Sequence, residues 1–204
     1  EVIGGKIRGT NNNDGSVAIY KGIPFAAPPV GELRWRAPQP VKAWSGVLDC
    51  TKYSASPMQA KPAPFSMWSE EFLIPAEPIS EDCLYLNVWA PQMNPKELSD
   101  SSPLPVMVWI HGGSNVSGNA DLYDPSELAY QHNLIVVTIN YRLGPFGWFS
   151  HPSIKELSVD AMNASGNYGN IDTIQSLEWV QSNIVNFGGD PSNITIFGES
   201  AGGY

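Results

Sequence analysis

The chain has 204 residues, of which 42% are hydrophobic and 11% aromatic, and it carries a formal net charge of −9 at pH 7. Its length and composition exclude a disordered chain and fit one globular domain or part of a larger one. The negative charge argues against nucleic acid and anionic membrane surfaces as partners, because both need a concentrated positive field, and no run of 18 apolar residues predicts a membrane span.

The N-terminal part of the chain is rich in turn signals. A short strand in "GGKIRGT" is followed by an Asn/Asp/Gly loop and a second strand, "VAIYKGIPFA", which indicates an antiparallel pair. Residues 24–40 contain too much proline for a helix or an inner strand. Residues 57–80 are predicted to form a second long loop.

Three strands are expected in the middle of the chain. Residues 84–91 alternate between apolar and polar side chains, and residues 105–113 and 133–141 are continuous apolar runs, typical of strands buried on both faces. Between the two runs, Asp124 and Pro125 predict the N-cap and the first residue of a short helix.

A longer helix is predicted within residues 169–191. Asn170 can cap its start, Gly188 and Gly189 can end it, and one face is apolar: Ile171, Ile174, Leu177, Ile184 and Phe187. Residues 193–198 then predict a third buried strand.

The order strand, helix, strand, helix, strand indicates a parallel sheet with right-handed crossovers. The antiparallel strands near the N-terminus make that sheet mixed. The predicted fold class is therefore α/β, with a mixed, mostly parallel central sheet and flanking helices.

The last residues contain the motif Gly-x-Ser-x-Gly directly after the third predicted strand. In such a motif the serine, here Ser200, sits on a sharp strand-to-helix turn, and side chains at Gly198 and Gly202 would collide with neighbouring backbone. A helix starting at this turn would add free N–H groups and a positive potential beneath the serine. The pattern predicts a catalytic nucleophile, and the alternative is a closely packed turn of small residues.

A second glycine-rich segment, "HGGSN" at residues 111–115, follows the strand predicted at 105–110. Loops at the carboxyl ends of strands in such sheets are where ligands bind. The backbone N–H groups of Gly113 and Ser114, joined by that of Ala201, could therefore form an oxyanion hole. The alternative for Gly112 and Gly113 is a plain turn.

With these motifs in place, the chain resembles the carboxylesterase/cholinesterase family of α/β-hydrolases, the type-B carboxylesterases. The matching blocks cover most of its length: "YKGIPFAAPPVGELRWRAPQP", "SEDCLYLNVWAP", "PVMVWIHGG", "VVTINYRLGPFG" and "GNYGNIDTIQSLEWVQSNIVNFGGDPSNITIFGESAGG". The resemblance implies an α/β-hydrolase fold and hydrolysis of small-molecule carboxylic esters through an acyl-enzyme on Ser200, without a metal or cofactor.

The same resemblance implies roles for further residues. Glu199 matches a buried glutamate that supports the catalytic histidine, and Gly112, Gly113, Ser114 and Ala201 match the oxyanion-hole region. Arg34 and Glu81 match a structural ion pair, with two solvated surface charges as the alternative.

The chain also departs from the family pattern. Ser114 and Asn115 stand where a third glycine and an aromatic residue are frequent, so the wall of the acyl pocket is expected to depart from the family pattern. Met58 stands where the family has the disulfide partner of the cysteine matched by Cys83, so Cys83 and Cys50 are predicted not to be bonded to each other. Trp68 lies in the loop that carries a choline-binding tryptophan in cholinesterases, but its spacing to Cys83 differs, which favours a rim or packing role.

A serine nucleophile needs a histidine base and an orienting acid, which follow the serine in this fold. All three histidines, His111, His132 and His151, precede Ser200. We therefore expect residues 1–204 to be the N-terminal portion of a single catalytic domain, inactive alone, with the C-terminal remainder of the same hydrolase as its partner. The alternative is a non-catalytic, cholinesterase-like binding or adhesion module.

Cofactor and location are less constrained. No Cys-x-x-Cys pair or His/Cys cluster predicts a metal site. Of the N-x-S/T sequons at Asn115, Asn163 and Asn193, only Asn163 is predicted to be a credible glycan acceptor, and only in a secreted protein. The location stays open, with a secreted or periplasmic one slightly favoured over the cytoplasm.

Overall fold

The computed structural model describes residues 1–60, 63–64, 78–92 and 102–204. Ten strands are present in this part of the chain: β1 Lys6–Arg8, β2 Thr10–Asn11, β3 Val17–Pro24, β4 Val47–Asp49, β5 Ser56–Pro57, β6 Ile79–Ser80, β7 Tyr85–Pro91, β8 Leu104–Ile110, β9 Ile135–Ile139 and β10 Gly189–Gly198. Six of them form one sheet in the order β10-β8-β9-β7-β3-β2. The pairs β1–β4 and β5–β6 form two small parallel sheets beside it.

The central sheet is mixed, as predicted. β10, β8 and β9 run parallel to one another, and β9, β7, β3 and β2 pair antiparallel. The predicted N-terminal hairpin is confirmed only for β2, which pairs antiparallel with β3, whereas Lys6–Arg8 of the same predicted strand pairs parallel with β4. Among the described strands of the central sheet, the parallel part is thus confined to three.

In the described part of the chain five α-helices accompany the sheet: α1 Ser126–His132, α2 Gly144–Gly147, α3 Pro152–Glu156, α4 Ala161–Ala164 and α5 Tyr168–Asn183. Single 3₁₀ turns occupy Gly31–Leu33, Ile184–Phe187 and Ser200–Gly203. No helix in the described segments has both the length and the apolar character that crossing a bilayer requires.

Both predicted helix starts are displaced. α1 begins at Ser126 with Pro125 as N-cap. The predicted cap, Asp124, lies one residue before Pro125, and its side chain accepts a hydrogen bond of 2.9 Å from the Ser126 N–H. α5 begins two residues before Asn170, whose side chain instead accepts a hydrogen bond of 2.8 Å from the Trp148 indole N–H. The predicted stop is confirmed, since Gly188 ends the following 3₁₀ turn with φ at +87°.

Helices cover the sheet on both faces. On one face α5 contributes Trp179 and Val180 to the main core, which includes Leu86, Val108 and Val137 from the central strands. On the other face Ala129 of α1 packs in a second cluster: Val17, Ile19, Trp89 and Val136. β9 is buried along its whole length, as its apolar run predicts.

Three predictions of burial are wrong. β8 is not buried on both faces, since Pro105 is exposed and Met107 and Trp109 are only partly buried. β10 is an edge strand rather than a fully buried one, and its Ile196 is 58% exposed, because β8 is its only neighbour among the described strands. On α5, Ile174 is 48% exposed, while Asp172 and Ser176 are buried. The buried face of α5 is thus rotated from the predicted apolar face. Asp172, which forms a buried ion pair with Arg142, lies on the buried face, where the apolar pattern predicts hydrophobic side chains.

Candidate active site

Ser200 lies in a strained turn at the carboxyl end of β10. Its φ is +54°, in the left-handed region, and the Gly202 N–H closes the turn with a hydrogen bond of 2.9 Å to the Glu199 carbonyl. A Cβ added at Gly198 would lie 2.1 Å from the Gly202 carbonyl oxygen, and one added at Gly202 would lie 2.1 Å from the Ile110 carbonyl oxygen. Both glycines are therefore required by close backbone packing around the serine.

The loop after β8, residues 111–118, packs directly on this turn and is named the glycine loop here. β8 and β10 are parallel neighbours with Ile110 in register with Gly198, so their carboxyl ends meet. A Cβ added at Gly112 would lie 2.7 Å from the Glu199 carbonyl oxygen and 3.0 Å from the Ser200 Cβ. The two predicted motifs thus share one place in the fold.

The glycine loop has an unusual backbone. Gly113, Ser114 and Asn115 have φ values of +103°, +54° and +60°. The Gly113 carbonyl accepts hydrogen bonds of 3.0 Å from the N–H groups of Val116 and Ser117, which closes the turn.

This turn leaves backbone donors free beside the serine. Within the described residues, the N–H groups of Gly113, Ser114 and Ala201 have no intramolecular acceptor. Free N–H groups next to a nucleophile can stabilise negative charge that develops on a carbonyl oxygen.

His111 anchors the start of the glycine loop. It is buried and stacks on Tyr141 with ring centroids 4.4 Å apart, and the Tyr141 hydroxyl donates a hydrogen bond of 2.6 Å to its carbonyl. Its Nδ1 lies 2.7 Å from the Gly112 carbonyl oxygen, which requires the Nδ1–H tautomer. Burial lowers the pKa of His111 to about 4, against a smaller opposite effect of the Gly112 hydrogen bond, so the ring is neutral at pH 7. A buried, neutral ring engaged with the loop is a structural histidine.

The other two histidines also have local explanations. His132 ends α1 and thus precedes β9, which places it at the amino end of the parallel strands, opposite Ser200. His151 is the N-cap of α3, and its Nδ1 accepts a hydrogen bond of 3.2 Å from the Ser153 N–H.

The three charged residues matched to the family lie in different settings. Glu199 is exposed rather than buried, because nothing among the described residues covers the outer side of β10. Arg34 and Glu81 form a bidentate ion pair, with Nε bonded to Oε2 and Nη2 to Oε1. The alternative of two solvated charges is therefore wrong.

Sequence reasoning missed a buried ion pair behind the glycine loop. Arg142, three residues after the end of β9, donates three hydrogen bonds of 2.7–3.0 Å to the Asp172 carboxylate from its backbone N–H, Nε and Nη2. Both side chains are almost completely buried. The sequence signal for this pair is an arginine and an aspartate that each lie within an otherwise apolar segment.

It also missed Gln59. Its side-chain amide donates a hydrogen bond of 2.9 Å to the Gly118 carbonyl and accepts one of 3.0 Å from the Gly118 N–H. The family's Cys-x-Gln pattern, where this chain has "PMQ", marks the glutamine, but its partners are backbone groups, so the pattern does not reveal the contact.

Three remaining expectations have separate outcomes. Cys50 and Cys83 are both free and buried, as predicted. Asn163 is not a credible glycan acceptor, because its side chain is buried and bonded to Asp160 and to the Ala37 N–H. Trp68 lies outside the described residues.

Among the residues described, no group of three or more His, Cys, Asp or Glu side chains could hold a metal ion.

Known proteins resemble this chain over its whole length. The family model for the carboxylesterase family matches residues 1–204. The para-nitrobenzyl esterase of Bacillus subtilis is 47% identical over 202 residues, covering 98% of this chain and 37% of that protein. The cocaine esterase of Homo sapiens is 45% identical over 205 residues, covering 100% of this chain and 34% of that protein.

Solved structures agree with these relatives. A thermophilic para-nitrobenzyl esterase superimposes with a TM-score of 0.82 at 45% identity, covering 98% of this chain and 38% of that one. The α/β-hydrolase fold predicted from the sequence is thereby confirmed. The chain spans about a third of the length of the curated relatives it matches.

Proposed function

The chain belongs to the carboxylesterase family, and from that premise we propose that it carries the nucleophile and the oxyanion donors of a carboxylic ester hydrolase. Ser200 Oγ attacks the ester carbonyl carbon, the carbonyl π electrons move onto oxygen, and collapse of this intermediate expels the alcohol and leaves an acyl-enzyme. Water then releases the carboxylic acid and regenerates the serine. No metal or cofactor takes part in this scheme.

The observation that carries the proposal is the junction of the serine turn and the glycine loop. Ser200 is held at positive φ and Gly112 packs against it. The N–H groups of Gly113, Ser114 and Ala201, which have no acceptor among the described residues, belong to the same two loops. Removing a single donor of this kind raises an acyl-transfer barrier by about 3–4 kcal/mol. Such an arrangement has no evident use in a turn that only packs.

The proton transfers require groups beyond these residues. A histidine must take the Ser200 proton and pass it to the leaving alcohol, and the three histidines here have other roles. We therefore assign the base and its acid to a C-terminal remainder of the same hydrolase, with residues 1–204 as the N-terminal portion of one catalytic domain. The edge of β10 that no described strand pairs with, and the exposed Ile174 and Ile196, support this, because another strand and helix would cover them. Glu199 would then be buried and could support the histidine.

A fluorophosphonate probe tests the assignment on the full-length protein. We expect a covalent adduct on the peptide that contains Ser200, formed in parallel with loss of ester hydrolysis. Ser200→Ala should be unlabelled and at least about 10⁴-fold less active, with an unchanged circular dichroism spectrum because alanine fits the same turn. Ser192→Ala, near the opposite end of β10 on an exposed residue, is the matched control and should label normally. Absence of an adduct on Ser200 in the wild-type protein would instead favour a binding or adhesion module.

A further inference from the structure

Gln59 forms a two-sided clasp on the glycine loop. Its Nε2 donates to the Gly118 carbonyl at 2.9 Å and to the Pro57 carbonyl at 3.0 Å, and its Oε1 accepts from the Gly118 N–H at 3.0 Å. Both amide protons and the amide oxygen are therefore used. The side chain pairs with Gly118 as a neighbouring strand would, although the two residues are 59 positions apart in the sequence.

Gly118 transmits this contact to the catalytic loops. Its φ is +117°, and a Cβ there would lie 2.2 Å from His111 Nδ1 and 2.7 Å from the Gly112 carbonyl oxygen. Gly118 thus packs directly against His111 and Gly112, the residues that begin the glycine loop. On the other side of that loop, Gly112 contacts the Ser200 turn. A continuous line of contacts runs from Gln59 through Gly118 and Gly112 to the serine.

Further hydrogen bonds hold the residues that follow Gly118. Asn119 Nδ2 donates to Ser56 Oγ at 2.8 Å, and Asn140 Oδ1 accepts from the Ala120 N–H at 2.8 Å. These bonds hold residues 119–120, where the glycine loop leaves, but they do not reach the loop itself. Among the described side chains, Gln59 alone hydrogen-bonds the backbone of Gly118.

We propose that Gln59 is a positioning residue for ester hydrolysis, which fixes the Gly113 and Ser114 N–H groups at the distance that the developing oxyanion requires. This inference rests on the proposed function. Three consecutive residues at positive φ are costly to hold, and the turn they form is closed on the Gly113 carbonyl within the loop. The clasp supplies an anchor from outside the loop, so that its donors are already in place before substrate binds.

The test is Gln59→Glu in the full-length enzyme. The change keeps the shape of the side chain but replaces Nε2 by an oxygen, which repels the Gly118 and Pro57 carbonyls when the carboxyl is ionised. Because the oxyanion contacts strengthen only in the transition state, we expect kcat to fall by about 10–100-fold and KM to change by less than about threefold. A trifluoromethyl ketone, which binds as a tetrahedral oxyanion adduct of the serine, should bind more weakly by the same factor as kcat falls.

A pH profile separates this role from simple loss of stability. A protonated Glu at this position regains an O–H donor, so the ratio of variant to wild-type kcat should rise as pH falls. Gln59→Met removes all the hydrogen bonds of this side chain without adding a titratable group. The ratio of its kcat to that of wild type should therefore be lowered by the same factor at every pH. Gln92→Glu, on an exposed glutamine at the end of β7, is the matched control and should behave as wild type.

The outcomes are distinct. If wild type hydrolyses esters but both Gln59 variants keep kcat within twofold, or lose kcat with no change in affinity for the ketone, the inference is overturned. If the wild-type protein is inactive and unlabelled, the proposed function fails, and hydrogen exchange then decides the clasp on its own. Exchange at Gly118 should be at least tenfold faster in Gln59→Met than in wild type, and equal rates would refute the contact.

Discussion

At the scale of single residues, burial shifts the pKa values of His111 and Asp121 so that the two groups change the free energy of unfolding in opposite directions with pH. The pKa of His111 is lowered from 6.5 to about 4, chiefly by burial. The unfolded chain therefore binds more protons between these values. The contribution to stability is complete above pH 6.5 and is lost as pH falls toward 4, by roughly 3 kcal/mol in total.

Asp121 has the opposite sign. Its pKa is raised from 3.8 to about 6, mainly by burial and partly offset by Lys21. Here the folded state binds more protons, so the contribution is present below pH 3.8 and is lost as pH rises through 6.

We predict that these two residues shape the acid limb of stability. His111→Gln should flatten the rise in the free energy of unfolding between pH 4 and 6.5, because glutamine does not titrate. Asp121→Asn should make that rise steeper, because the opposing group is removed. Urea unfolding of the full-length protein at several pH values checks both. Equal slopes in all three proteins would contradict the assignment.

The ion pair of Arg142 and Asp172 predicts a large loss of stability. Asp172→Asn leaves a buried guanidinium without its counter-charge, and we expect a loss of about 3–5 kcal/mol. Asp49→Asn breaks the exposed pair with Arg8, at 3.0 Å, and should leave the urea midpoint unchanged because solvent screens that pair. Similar effects of the two substitutions would show that burial of the Arg142 pair is not what makes it important.

At the scale of elements, the glycines of the serine turn should differ sharply in tolerance. Gly202→Ala places a Cβ 2.1 Å from the Ile110 carbonyl oxygen, whereas at Gly203 the nearest atom is 3.4 Å away. Gly202→Ala must therefore shift β8 or the turn, and a displacement of this size can cost about 10²-fold in kcat. Gly203→Ala should keep full activity. Steady-state kinetics of the two variants decide it, and equal activities would mean that the turn relaxes freely.

Local signals predicted the elements but not their surroundings. The strands near residues 84–91, 105–110 and 133–141 were found because apolar runs depend on their own side chains. β10 was predicted to be buried, although the run that identifies it does not say which strands lie beside it. The start of α5 was misplaced because Asn170 bonds Trp148, a partner 22 positions away.

The residues of the candidate site divide in the same way, into those that a local sequence signal predicts and those that depend on their surroundings. Ser200, Gly112 and Gly113 were recognised because a steric requirement for glycine leaves a trace in the sequence. Gln59 was not, since the pattern that marks it does not reveal that its side chain binds backbone groups. The exposure of Glu199 could not be foreseen either, because it depends on what packs outside β10.

At the scale of the whole molecule, the exposed side of β10 determines how these residues behave alone. Ile174, Val185 and Ile196 are all about half exposed or more, and apolar area left in water forgoes about 25 cal/mol per Å². An open edge strand is also a template for pairing with another chain.

We therefore predict that residues 1–204 expressed alone are aggregation-prone or molten and give no burst of product with an activated ester. Co-expression with the C-terminal remainder should restore both solubility and turnover, because the triad is then assembled from two pieces. Size-exclusion chromatography and a burst assay measure the two properties. A soluble, cooperatively folding 204-residue monomer that hydrolyses esters unaided would mean that one of the three histidines is the base after all.

The position of β9 has a consequence for biosynthesis. β7 and β8 precede it in the chain but are not neighbours, since β9 lies between them and pairs with both. A ribosome adds about 5–20 residues per second, so the two earlier strands emerge with facing edges that stay vacant until residues 135–139 leave the exit tunnel. Slow codons placed so far after Ile139 that residues 135–139 have already left the tunnel would give the sheet time to close. Slow codons placed earlier would prolong the interval in which those edges are exposed.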